Sequence, residues 1–188
     1  MATKLRRHYN ELQISALKKL LFNATFIYDS KSEMAMIKDA YEKARKDHPI
    51  LPEWNKINND FELELIEQEA FILRQVKRKM GEKIEPVLEL FQITITPDPN
   101  SFSDMNECRS YTNGEKRQVI DIFGHLMEQY RAIMETDVIA DDKTDAELIR
   151  KIHDLWQQEK KQIAPLIKKI RECWQKQVEP KEILEYLG

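Results

Sequence analysis

Apolar residues return every three or four positions along most of this chain, the interval that places them on one face of an α-helix. Leu5, Tyr9, Leu12, Ala16, Leu20, Ala24 and Ile27 form the first stripe, widened by Leu17 and Leu21, and predict one amphipathic helix over 5–28. Ser30-Lys31-Ser32-Glu33 has capping-box form and starts a second helix with Met34, Ile37 and Tyr41. That helix should end near His48, because Pro49 disfavours helical backbone in the residue before it. Residues 49–59 then read as a loop or short turn packed down by Trp54. Asn59 with Glu62 gives the next cap signal, and Phe61, Leu65, Ile72, Val76 and Met80 carry a third helix to Gly81, read as its C-terminal stop. Pro86 suits the first turn of a shorter helix that follows.

Between 94 and 113 the pattern changes to prolines, asparagines, serines and aspartate, which predicts one long irregular loop with a helical turn around Met105 to Ser110. Ile93-Thr94-Ile95-Thr96 alternates like a strand but has no second strand to pair with. Residues 115–135 form a strong helix with Val119, Ile122, Phe123, Leu126, Tyr130, Ile133 and Met134 on one face, and Gly124 inside it is read as the mark of a close helix contact. Asp137 to Lys143 reads as an acidic turn. Thr144-Asp145-Ala146-Glu147 is a further capping box, opening a long helix with Ile149, Ile152, Trp156, Ile163, Ile167, Ile170 and Trp174. Pro165 should kink or divide that helix, and a short helix at 181–187 ends the chain. The whole pattern predicts an all-α, single-domain bundle of five to six helices over 1–188, with 137–188 as a candidate C-terminal helical appendage.

Composition narrows the function classes. The chain is too apolar and periodic for a disordered one, and its apolar runs are far shorter than the roughly 20 residues that span a bilayer. The first residues lack the apolar core of a signal peptide, so a cytoplasmic protein is expected. Cys108 and Cys173 are too few for a disulfide framework and lack metal-binding spacing. With four glycines in 188 residues there is no glycine-rich cradle for a cofactor phosphate, and no nucleophile motif is present, so no catalytic residue and no cofactor are expected.

Three surfaces remain as candidates. His8 with Glu11 and His125 with Glu128 are spaced to share a helix face, as metal ligands in helical bundles do, although the order is the reverse of the Glu-x-x-His of di-metal bundles. Arg6, Arg7, Arg74, Lys77 and Arg78 would form a basic face for phosphates, against a net charge of -3. Trp156, Ile163 and Trp174 would be interface residues if the stripe on the last long helix is wider than one monomer can cover. Leu73 to Leu90, with Asn113-Gly114-Glu115-Lys116-Arg117 opening the helix to Tyr130-Arg131, is similar to the helical domain of GINS replication-scaffold subunits. That resemblance implies a nucleic-acid-associated accessory factor or scaffold, and it departs from the family where residues 137–188 read as helix in place of a small β domain. The sequence favours a non-enzymatic helical protein that meets a protein partner or copies of itself, with nucleic acid or metal binding as alternatives and no membrane.

Overall fold

The computed structural model describes residues 34–175, and among them every regular element is a helix. The elements are α1 (34–47), α2 (Trp54–Phe61), a single 3-10 turn (Leu63–Leu65), α3 (Ile72–Ile95), α4 (Phe102–Ser110), α5 (Asn113–Ile139) and α6 (Asp142–Cys173). The all-α bundle expected from the periodicity is therefore present. The helix expected at 5–28, the Ser30 capping box and the helix at 181–187 lie outside the described residues.

Three long helices make the centre. Polar contacts fix their direction: Gln118 meets Gln162, His125 meets Glu159 and Lys151 meets Glu128, so α5 and α6 run antiparallel. Lys77 meets Thr136 while Glu85 meets Tyr130, so α3 is antiparallel to α5 as well. Val76, Met80, Ile84 and Phe91 of α3, Val119, Ile122 and Leu126 of α5, and Ile149 and Ile152 of α6 fill the space between them. Removing that much apolar surface from water is the dominant favourable term for such a bundle. α4 closes one end against α3 and α6. At the other end α1 is tied down by Ile37 and Tyr41, whose hydroxyl donates to the Pro52 carbonyl at 2.9 Å and whose ring tilts against Trp54.

Several boundaries differ from those expected, each for a local reason. Trp54 does not sit in a loop but opens α2, and that helix stops at Glu62, which adopts left-handed backbone with φ 53°. The expected start at Asn59 is thus a helix end. α3 begins only at Ile72, after Phe71 turns through φ 54°, and it runs unbroken past Gly81 and Pro86. Gly81 is an interior position where a Cβ would come within 3.3 Å of Ile133 Cδ1, so it permits the close approach of α3 and α5. Gly124, expected to mark such a contact, faces open space with nothing within 4 Å.

The 94–113 segment is mostly not a loop. α3 extends to Ile95 and α4 occupies Phe102–Ser110, with Ser101 as N-cap accepting from the Asp104 amide. The serines and aspartate read as loop composition act as helix-starting residues. Thr112 and Glu115 then form a reciprocal capping box that starts α5. The acidic turn shrinks to Ala140 and Asp141, with Asp137 still inside α5; Asp141 caps α6 by accepting from the Thr144 amide, three residues before the expected start. Pro165 lies within α6 without ending it.

Candidate interaction surface

Polar groups inside the bundle act as clips between helices. Lys77 on α3 is fully buried, and its Nζ lies 2.6 Å from Asp145 Oδ1, 2.7 Å from Thr136 Oγ1 and 2.9 Å from Asp137 Oδ1. One ammonium therefore holds the last turn of α5 and the first of α6 against α3. Burial works to raise the Asp137 carboxyl, but Lys77 and Arg78 beside it outweigh that and hold its pKa below the usual carboxylate value. At the far side of the bundle Lys160 Nζ and Gln157 Nε2 donate to the Asp60 carboxylate, joining α2 to α6. Burial again opposes, and these bonds prevail, so Asp60 also stays below its ordinary pKa. His153, itself buried, lies 3.3 Å from Asp154 and 3.3 Å from Gln157 beside this clip.

The sequence-derived candidates fall in different places. His8 and Glu11 are outside the described residues. His125 Nδ1 is 2.8 Å from the buried carboxylate of Glu159, and Glu128 bonds Lys151 at 2.9 Å. Among the described residues no group of three or more His, Cys, Asp or Glu side chains is placed to share a metal ion. In the basic set, Arg6 and Arg7 are outside the described residues, and Lys77 is spent on its internal carboxylates. Arg78 pairs with Asp137, and the Arg74 guanidinium lies 5.2 Å from the Phe71 ring centroid. Trp156 packs against Phe61 in the core and Ile163 is buried beside it, which removes both from the surface; Trp174 alone of the three is exposed, donating to Glu107 at 2.8 Å. The stripe on α6 is thus buried from Ile149 to Ile163, while Ile167 and Trp174 nearer its end are exposed. Cys108 and Cys173 are half-buried thiols, Cys108 donating to the Thr94 carbonyl and Cys173 accepting from the Asn106 amide.

Sequence reasoning missed a second stripe on α5. The core-facing side of this helix carries Val119, Ile122, Leu126, Gln129, Ile133 and Thr136. On the opposite side Arg117, Ile120, Gly124, Met127, Arg131, Met134 and Val138 repeat at alternating intervals of three and four, which is heptad spacing. Ile120 is 50% exposed, Met134 46% and Val138 87%, while Met127 is half-buried and Gly124 open. The signal was present in the sequence, but Phe123 and Tyr130 blur the two faces into one broad apolar pattern. Along one edge of this outer stripe run Asp121, Glu128 and Glu135, all exposed.

No family model matches the chain, and no curated protein or solved structure matches it either. Among the described residues no helix is long and apolar enough to cross a membrane.

Proposed function

We propose that the protein works by self-association, two copies pairing antiparallel through the outer face of α5. The observation that carries this is the solvent-exposed heptad stripe from Ile120 to Val138, a seam of about 27 Å at the helical rise of 1.5 Å per residue. Ile120, Met134 and Val138 are its exposed apolar members, grouped on one face of the helix.

The antiparallel arrangement sets Met127, and not a second Arg131, opposite Arg131. With the two-fold axis beside Gln129, Ile120 meets Val138, Gly124 meets Met134, and Met127 meets Arg131 of the other copy. Each Arg131 then lies beside Glu128 of its neighbour, while the edge that carries Asp121, Glu128 and Glu135 meets the same edge of the other copy. Gly124 has a role in this arrangement: it leaves room for the long Met134 side chain. A parallel pair would instead set Arg131 against Arg131.

Sedimentation velocity across a concentration series tests the reading. The wild-type chain should show a concentration-dependent dimer, since one helix pair is at the small end of specific interfaces. Val138→Glu and Met134→Glu should each leave a folded monomer, because both side chains are exposed in the monomer. A wild-type chain that stays monomeric at every concentration would remove the proposal.

A further inference from the structure

Three helices converge on one thiol. Cys108 lies in the last turn of α4, and Lys116, eight residues on, lies in the first turn of α5. Lys116 Nζ donates to Cys108 Sγ at 3.2 Å, and the thiol donates to the Thr94 carbonyl of α3 at 3.6 Å. Local structure fixes the pair. The Ser101 cap starts α4 and so sets the phase of Cys108, while the reciprocal Thr112–Glu115 box starts α5 and sets that of Lys116. A cation in the first turn runs against the helix macrodipole, so the helix itself gives no reason for a lysine there. Both residues are half-buried, neither sealed in the core nor loose in solvent. Thr94 is 4% exposed, and its Oγ1 has no hydrogen-bond partner among the described residues. The residue that receives the thiol thus also holds a buried hydroxyl in want of an acceptor, and an oxygen carried by the neighbouring sulfur is of that kind.

We propose that Cys108 and Lys116 form a redox modification site, in which a hydroperoxide oxidises the thiol and the lysine captures the product as a covalent S–N link between α4 and α5. In the first step Sγ attacks one peroxide oxygen and the O–O bond breaks. The sulfur gives up two electrons and becomes a sulfenic acid, and the other peroxide oxygen leaves with the thiol proton, as water from hydrogen peroxide. In the second step the lysine, its ammonium proton released to solvent, attacks Sγ through Nζ. The S–O bond breaks, the hydroxyl departs as water with one amine proton, and a sulfenamide remains. Sulfenic acids close onto backbone nitrogen in the same way. Here the nitrogen held against the sulfur is Nζ, and the flexible four-carbon stem of lysine lets it close the remaining gap. A dithiol reverses the link: one thiol displaces the amine from Sγ, the second releases Cys108, and the reagent leaves as its disulfide. The site needs one copy of the chain only, so it does not depend on the pairing through α5.

Mass spectrometry of the full chain in a Cys173→Ser background, treated with hydrogen peroxide under native conditions, tests this. The tryptic peptides carrying Cys108 and Lys116 should be joined with the loss of two hydrogens, and dithiothreitol should separate them. Unfolding in guanidinium chloride before the peroxide is added should lower the joined yield on the order of tenfold, because the helices no longer hold the two atoms together. Lys116→Arg, which keeps the charge, should stop at the sulfenic acid, a gain of one oxygen that dimedone traps. An oxygen gain at Cys108 with Lys116 unchanged in the lysine-bearing chain would overturn the proposal. So would equal joining in the folded and unfolded chains, or a folded-state thiol left unmodified by peroxide that oxidises the unfolded one.

Discussion

Lys77 shows how a single side chain can be misplaced by sequence yet central to the fold. In the sequence it stands within the cluster Arg74, Lys77, Arg78 and Lys79, and nothing local marks it as buried. Its helix phase aligns it with Val76, Met80 and Ile84 more than with its charged neighbours, and the acids that receive it, Asp137 and Asp145, come from 60 and 68 residues away. Lys77→Met should destabilise the protein by about 3–5 kcal/mol, since it leaves Asp145 buried without its cation. Urea unfolding measures this, and a loss under 1 kcal/mol would show that the ammonium is not the clip between helices.

Glu115 offers a second test at this scale. Hydrogen bonds from Lys169, first, and from the Thr112 backbone and side chain lower its pKa from 4.5 to about 2. A carboxyl depressed in the folded state contributes stability that is fully present above pH 4.5 and is lost as the pH falls towards 2. Glu115→Gln should therefore reduce stability near neutral pH and flatten the acid limb of the stability profile between those values. Unfolding free energies measured across that pH range check both changes.

At the level of elements, the long helices were legible and their ends were not. Periodicity located α3, α5 and α6 because each buries a stripe at helical spacing, and tertiary packing then carried α3 through Pro86 and α6 through Pro165. The ends escaped because the chain makes its left-handed turns with Glu62, Phe71 and Ala140, while none of its described glycines has positive φ. A search for glycine stops is blind to such turns. Ala140, the C-cap of α5, sits at φ 57°, so Ala140→Gly should stabilise the protein by about 1 kcal/mol. Gly124→Ala, at an open mid-helix position, should do the same through helix propensity at concentrations where the chain is monomeric. Thermal unfolding of the two variants should show higher midpoints, and a fall in either would contradict the local geometry.

For the whole molecule, the candidate site was the least legible part. The sequence directed attention to Trp156 and Ile163, which are apolar because they are core; it placed Met134 on the core face and passed over Ile120 and Val138, and all three of these are exposed. Periodicity reports that a face is apolar; which of two faces meets solvent depends on how three helices close around one another. The account rests on α5 having a second face that meets another copy. Spin labels at Glu128→Cys and at Asp121→Cys, placed beside the seam in a Cys108→Ser, Cys173→Ser background, measure this most directly. Antiparallel pairing about Gln129 predicts an inter-copy separation within about 15 Å at position 128 and beyond about 25 Å at position 121. No inter-copy distance at either position, or equal short distances at both, would contradict it.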